Sequence, residues 1–136
     1  MDFVKFSLSG FDEFLVYAGL SIAFLYGYMI VYQWITPYNE LKLIKDGNVA
    51  AALSLSGSVL GFTLPLGAAI IHSVHPWDMM LWGVIAAAVQ LLVFVAVRFT
   101  LLNVTRRIPD GQVAAGIVLG TISVSAGILN AACMTY

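Results

Sequence analysis

Four apolar stretches, each long enough to cross a bilayer, constrain this chain more than any other feature. A bilayer core of about 30 Å needs roughly 20 apolar residues in a helix. Charged residues divide the sequence into such runs: Phe14 to about Thr36, about Asn48 to Val74, about Met79 to Leu102, and about Val113 to Met134. One charge, Arg98, falls near the end of the third run. Lipid offers no partner to an open strand edge, and the runs lack the alternating polarity of a barrel wall. The expected fold class is an all-α membrane protein with four transmembrane helices, forming a single integral membrane domain over residues 1–136.

Composition excludes the main alternatives. Of 136 residues, 61% are hydrophobic and 10% charged, against about 45–50% and about 25% in soluble domains. A chain this short could not hide so much apolar surface in water. A formal net charge of -1 leaves no basic footprint for nucleic acid. The lone Cys133 says nothing about compartment. The first run is longer than a signal-peptide core and lacks a small-residue cleavage site, so it is expected to be a retained helix. Ahead of it, Met1–Asp12 with Phe3 and Phe6 fits either a short interfacial segment or a frayed terminus.

Orientation follows from Lys and Arg. Lys42 and Lys45 lie after the first run, Arg106 and Arg107 after the third, and Arg98 is close enough to snorkel to the same side. The opposite side has only Lys5. Both charged loops are expected on the cytoplasmic side and both termini on the other. Trp34 and Tyr38 would then mark the inner interface, and Trp77 and Trp82 the outer one.

The chain is also written twice. Asp46-Gly47-Asn48-Val49-Ala50-Ala51 returns as Asp110-Gly111-Gln112-Val113-Ala114-Ala115, 64 residues on. At the same offset Gly19, Ala23, Thr36, Asn39 and Lys42 fall on Gly83, Ala87, Thr100, Asn103 and Arg106. The expectation is two parallel two-helix repeats, the first about 12–74 and the second about 76–136, with matching turns side by side. In each turn Gly supplies backbone freedom, and Asp46 or Asp110 is expected to cap the helix that follows. These turns are either capped hairpins or binding loops for a cytoplasmic partner; their candidate contact residues are Lys42, Lys45, Asp46, Arg106, Arg107 and Asp110.

Helix association in lipid relies on small residues and a few hydrogen bonds. The second run offers Ser54, Ser58, Gly61, Pro65, Ala68 and His72 at helical spacing, with Gly57 beside them. The fourth offers Gly116, Gly120, Ser123, Gly127 and Asn130; the first and third offer Gly19, Ala23, Gly27 and Gly83, Ala87. Every run thus has a close-approach face, for the bundle or for a homo-oligomer. Pro65 is expected to kink its helix, with Thr63 satisfying a freed carbonyl. Gln33, Gln90 and Asn130 are expected to bond across helices. No Asp or Glu falls in mid-membrane, which disfavours a proton-coupled exchanger. His72, His75 and Asp78 stand at three-residue steps and are the candidate metal or pH-sensing set, although Pro76 is expected to end that helix first. No nucleophile–base set, phosphate loop or zinc motif occurs, so no enzyme and no cofactor are expected.

Three segments resemble a known family: Thr36-Pro37-Tyr38-Asn39-Glu40, Gly47-Asn48-Val49-Ala50-Ala51-Ala52 and Gly61-Phe62-Thr63-Leu64-Pro65-Leu66, together with Asp78-Met79-Met80-Leu81-Trp82-Gly83. They are similar to the domain of unknown function 350 family over nearly the whole chain. The resemblance implies a small four-helix protein of the bacterial inner membrane with two similar halves. It also implies an association with genes of membrane-stress maintenance and of peptide–polyamine ligation. The function expected from all this is a non-enzymatic oligomeric scaffold that presents its paired loops to anionic lipid or a protein partner. The alternative is a pore or transporter subunit for a small solute or ion, lined by Ser54, Ser58, Thr63 and His72.

Overall fold

The computed structural model describes residues 2–36 and 38–134. Met1, Pro37, Thr135 and Tyr136 lie outside them; they carry the ends of the opening segment and of the second expected repeat, and the proline of the first motif. The described residues form helices: α1 (Asp2–Leu8), α2 (Phe11–Ile35), α3 (Glu40–Lys45), α4 (Val49–His72), α5 (Pro76–Thr100), α6 (Leu102–Arg106) and α7 (Val113–Ala132). Among them, α2 with α1 ahead of it, α4, α5 and α7 are long and apolar enough to cross a membrane. The α1 segment is helical but buries nothing.

Span boundaries moved for identifiable reasons. Pro76 begins α5 rather than merely ending α4, because a proline at the first helical position gives up only an amide that has no helical partner. The preceding His75 caps α5, its Nδ1 accepting from the Trp77 amide at 3.3 Å. Thr36 closes α2 through its amide and its hydroxyl, both donating to the Tyr32 carbonyl.

The two glycine turns share one geometry. Gly47 has φ +87° and Gly111 φ +78°, a left-handed conformation that side chains disfavour. The Gly47 amide donates to Ile44 and the Asn48 amide to Leu43; the Gly111 amide donates to Ile108 and the Gln112 amide to Arg107. Both carry the hydrogen-bond pair of a glycine-ended Schellman motif, the first closing α3 and the second in the turn that follows α6. The expected capping by Asp46 and Asp110 is not what occurs. Asp46 ends α3, while Asn48 is the residue that caps α4, its Oδ1 accepting from Ala51 at 3.0 Å. Gln112 takes the same backbone position before α7 without a side-chain cap. A caps position requires an extended backbone directly before the first helical residue, and in each turn that residue follows the glycine.

The closest-packed pair is α4 with α7. Contacts climb both helices together, so the two run parallel. Cβ atoms added at Gly116, Gly120, Gly57, Gly61 and Gly127 would land on the facing backbone at Ala50, Leu53, Gly120, Ser123 and Gly61 in turn. Pro65 lies within α4 without interrupting it. Its missing amide leaves the Gly61 carbonyl without a helical donor. Thr63 does not supply one, since its hydroxyl bonds back to Val59 at 2.7 Å. The Gly61 carbonyl oxygen instead occupies the place a Gly127 Cβ would take, a backbone approach that only glycine permits.

The small residues of the first and third spans behave differently. Nothing lies within 4 Å of a Cβ built on Gly19 or Gly27, and at Gly83 the neighbour is the Phe24 ring rather than backbone. Ala23, Gly27, Val84 and Ala87 line an open apolar groove of about 390 Å³ between α2 and α5. The close-approach face expected in every span is therefore used only between α4 and α7. Half of the most apolar stretch of α4 is buried, and only 6% of the corresponding stretch of the first span.

Candidate functional site

At the end of the bundle that carries the glycine turns, α2, α3, α4 and α5 converge on a buried carboxyl group. Asn39 caps α3 by accepting from the Lys42 amide at 3.2 Å, which makes Glu40 the first residue of that helix. Glu40 is 1% exposed. The Tyr32 hydroxyl from α2 donates to its Oε1 at 3.4 Å and lies 3.5 Å from Ser54 Oγ on α4. The other carboxyl oxygen, Oε2, is buried without a hydrogen-bond partner among the described residues. One turn further into the bundle, the Tyr28 hydroxyl meets Ser58 Oγ at 2.9 Å. Tyr28 stacks on Phe62 at 4.3 Å between ring centroids, and Tyr32 packs against Phe94 at 4.6 Å. The result is a ladder of tyrosine–serine rungs between α2 and α4, with Glu40 at its outer end.

Arg98 frames the same end. Its guanidinium donates to the Ile35 carbonyl at 2.5 Å and stands 5.1 Å over the Phe94 ring. It thus closes the C-terminus of α2, where unpaired carbonyls favour a cation. The expected snorkelling direction agrees with this position. Burial pushes the Glu40 carboxyl up to about 7, against weaker opposing effects of the Tyr32 bond, the Arg98 charge and the Ser54 hydroxyl. Burial likewise holds the Tyr38 hydroxyl well above its ordinary range. Beside Glu40 a polar cavity of about 330 Å³ is lined by Gln33, Trp34, Thr36, Tyr38, Asn39 and Glu40.

The remaining candidates fall into three places. Ser54 and Ser58 are buried on the tyrosine ladder, while Gly61, Gly116 and Gly120 form the α4–α7 seam with Pro65 buried nearby. Deeper in the bundle, Gln90 donates to the Ser123 carbonyl at 2.8 Å and Asn130 to the Ala86 carbonyl at 3.3 Å. Both amides bond across helices. Gln90 Oε1 has no partner among the described residues.

Lys42, Lys45, Asp46, Arg106, Arg107 and Asp110 are all exposed. The two turns that carry them touch, for Asn48 Nδ2 donates to the Ile108 carbonyl at 2.9 Å. At the opposite end His72 finishes α4, His75 caps α5, and Asp78 accepts from the Val74 amide at 3.3 Å. Among the described residues no three His, Cys, Asp or Glu side chains are grouped to hold a metal.

Glu40 was hidden from sequence reasoning because a charge beyond a span reads as its boundary. The available signal was the motif around it, in which a tyrosine, an asparagine cap and the carboxylate follow within five residues of the helix end.

The family described as Domain of Unknown Function (DUF350) matches residues 6–134. The chain is 42% identical over 123 residues to the UPF0719 inner membrane protein YjfL of Escherichia coli (strain K12), covering 90% of this chain and 93% of the relative. The protein of the same name in Escherichia coli O157:H7 gives the same figures. No solved structure matches the chain significantly. The chain belongs to the DUF350 family. With four apolar helices of spanning length, it is a multi-pass inner-membrane protein in contact with the lipid bilayer.

Proposed function

We propose that this DUF350 protein is a non-enzymatic, homo-oligomeric inner-membrane scaffold in envelope or membrane-stress maintenance. It presents its two joined turns to anionic lipid or to a cytoplasmic protein. The carrying observation is the exposed turn face: Lys42, Lys45, Arg106 and Arg107 stand out at one end, with Asp46 and Asp110 as the exposed acids of the turns. The Asn48 bond to Ile108 joins the two turns directly. Each such cation is worth about 1 kcal/mol near an anionic surface. In this reading the turns face the cytoplasm and both termini lie on the other side.

The reading also takes the chain as one hairpin duplicated head to tail. Its support is the equal spacing: both glycine turns, both pairs of closing hydrogen bonds, and the starts of α4 and α7 recur at an offset of 64 residues. The open groove beside Gly27 is the surface for a second copy.

The test is charge reversal. Arg106→Glu with Arg107→Glu is expected to weaken capture on phosphatidylglycerol vesicles or by the partner. Unchanged capture, with topology reporters also unchanged, overturns the docking role. A pore or transporter subunit is the competing reading. It draws on the line of hydroxyls along α4, but Ser54 and Ser58 are occupied by tyrosines, which favours the scaffold. Solute flux in proteoliposomes, abolished by a bulky replacement of Ser58, would reverse that preference.

A further inference from the structure

We propose that Glu40 is a proton-binding site, open to the turn side through the polar cavity and wired by Tyr32 and Ser54 into the hydroxyl ladder between α2 and α4. Three geometric facts carry it. The carboxyl group is 1% exposed. Its Oε2 has no hydrogen-bond partner among the described residues. The Tyr32 hydroxyl reaches its Oε1 only at the long distance of 3.4 Å. An ionised carboxylate needs several donors when buried, and without them the neutral acid is the favoured form.

The surroundings agree from every side. The facing groups are Tyr32 from α2, Ser54 from α4, Tyr38 from the link before α3, and Arg98 from α5. The sole cation among them, Arg98, gives a hydrogen bond to the Ile35 carbonyl. The two tyrosines lose their protons far less readily than a carboxyl group. The two charged residues elsewhere on α3, Lys42 and Lys45, are exposed. Desolvation of the carboxyl outweighs the effects of Tyr32, Arg98 and Ser54, and places its proton affinity near neutrality.

The chemistry is simple. Water in the cavity delivers a proton to a Glu40 carboxylate oxygen, and the neutral acid then sits against the Tyr32 oxygen. The reverse step returns the proton to cavity water. Tyr32 lies between Glu40 and Ser54, and the Tyr28–Ser58 pair continues the ladder one turn inward. The site is independent of whether the turn face docks to anything.

Infrared titration of the full chain in detergent micelles tests the assignment. The expected result is a protonated-carboxyl band with its midpoint near about 7, absent in Glu40→Gln. No carboxyl titrating above about 5, or a band that survives Glu40→Gln, overturns the proposal. If Glu40→Gln does not fold, Tyr32→Phe decides. Removing the hydroxyl that favours the ionised form must move the midpoint upward, and an unmoved midpoint overturns the Glu40–Tyr32 assignment.

Discussion

Two pairs of parallel helices, α4 with α7 and α2 with α5, are equipped with small residues at the same four-residue steps, yet only one pair closes. Between α4 and α7, Gly57, Gly61, Gly116, Gly120 and Gly127 meet the opposite backbone, and Gly127 receives the carbonyl that Pro65 left without its helical donor. Between α2 and α5, Gly19 and Gly27 face open space, and an aromatic ring fills the place opposite Gly83. Small residues permit close approach without causing it. Closure needs a stretch of the other helix's backbone to fall opposite the glycine, and that depends on the relative rotation of the helices.

The sharpest way to break this comparison is to add side chains to both pairs. Gly127→Val should destabilise the bundle by about 3 kcal/mol or more, since the facing group is backbone and cannot move aside. Gly27→Val should change the stability of a single chain by less than about 0.5 kcal/mol, while lowering cross-linking between copies if that groove receives a second chain. Unfolding in micelles separates the two; equal losses would erase the distinction between the seams.

A second contrast lies along the chain. At the offset that superimposes the two glycine turns, Glu40, Tyr32, Ser54, Tyr28 and Ser58 correspond to Val104, Ala96, Val118, Leu92 and Ile122. One set carries a carboxyl group with hydroxyl partners, and the other only apolar side chains, of which Leu92 and Val118 are exposed. Burial raises the Glu40 carboxyl from its ordinary 4.5 to about 7. A raised carboxyl stabilises the fold fully below its unfolded value, and this contribution is lost as pH rises to the folded value. Stability should therefore fall between about pH 4.5 and about 7 and level off above, by a total on the order of 3 kcal/mol. In Glu40→Gln that slope should vanish. A slope that persists would place the titration elsewhere.

The turns provide the mildest comparison. Asn48 both caps α4 and bonds the opposite turn, whereas Gln112 makes no side-chain cap. Asn48→Ala should cost about 1–2 kcal/mol and Gln112→Ala less than about 0.5 kcal/mol, measured by thermal unfolding in micelles. Comparable losses would mean that Gln112 holds its turn through contacts beyond capping.

Much of the architecture was legible because membrane solvation leaves few options. Long apolar runs must be helices, glycine after an aspartate must turn, and Arg98 near a span end must seek a polar partner. The site was less legible. Ser54 and Ser58 were visible as small polar residues at helical spacing, but their tyrosine partners lie 22 and 30 residues away. Asp46 looked like the cap because aspartate commonly is one, while the glycine shifts the extended backbone position to Asn48.

The amino-acid order by itself determined the number of crossings, the position of the turns and the supply of small residues, because each follows from local transfer energies and local backbone preference. Only the tertiary structure decided which glycines meet, where the Pro65-freed carbonyl points, and that Glu40 folds inward under Tyr32. Those outcomes depend on how helices distant in sequence are rotated against one another, a choice made by packing rather than by any single segment.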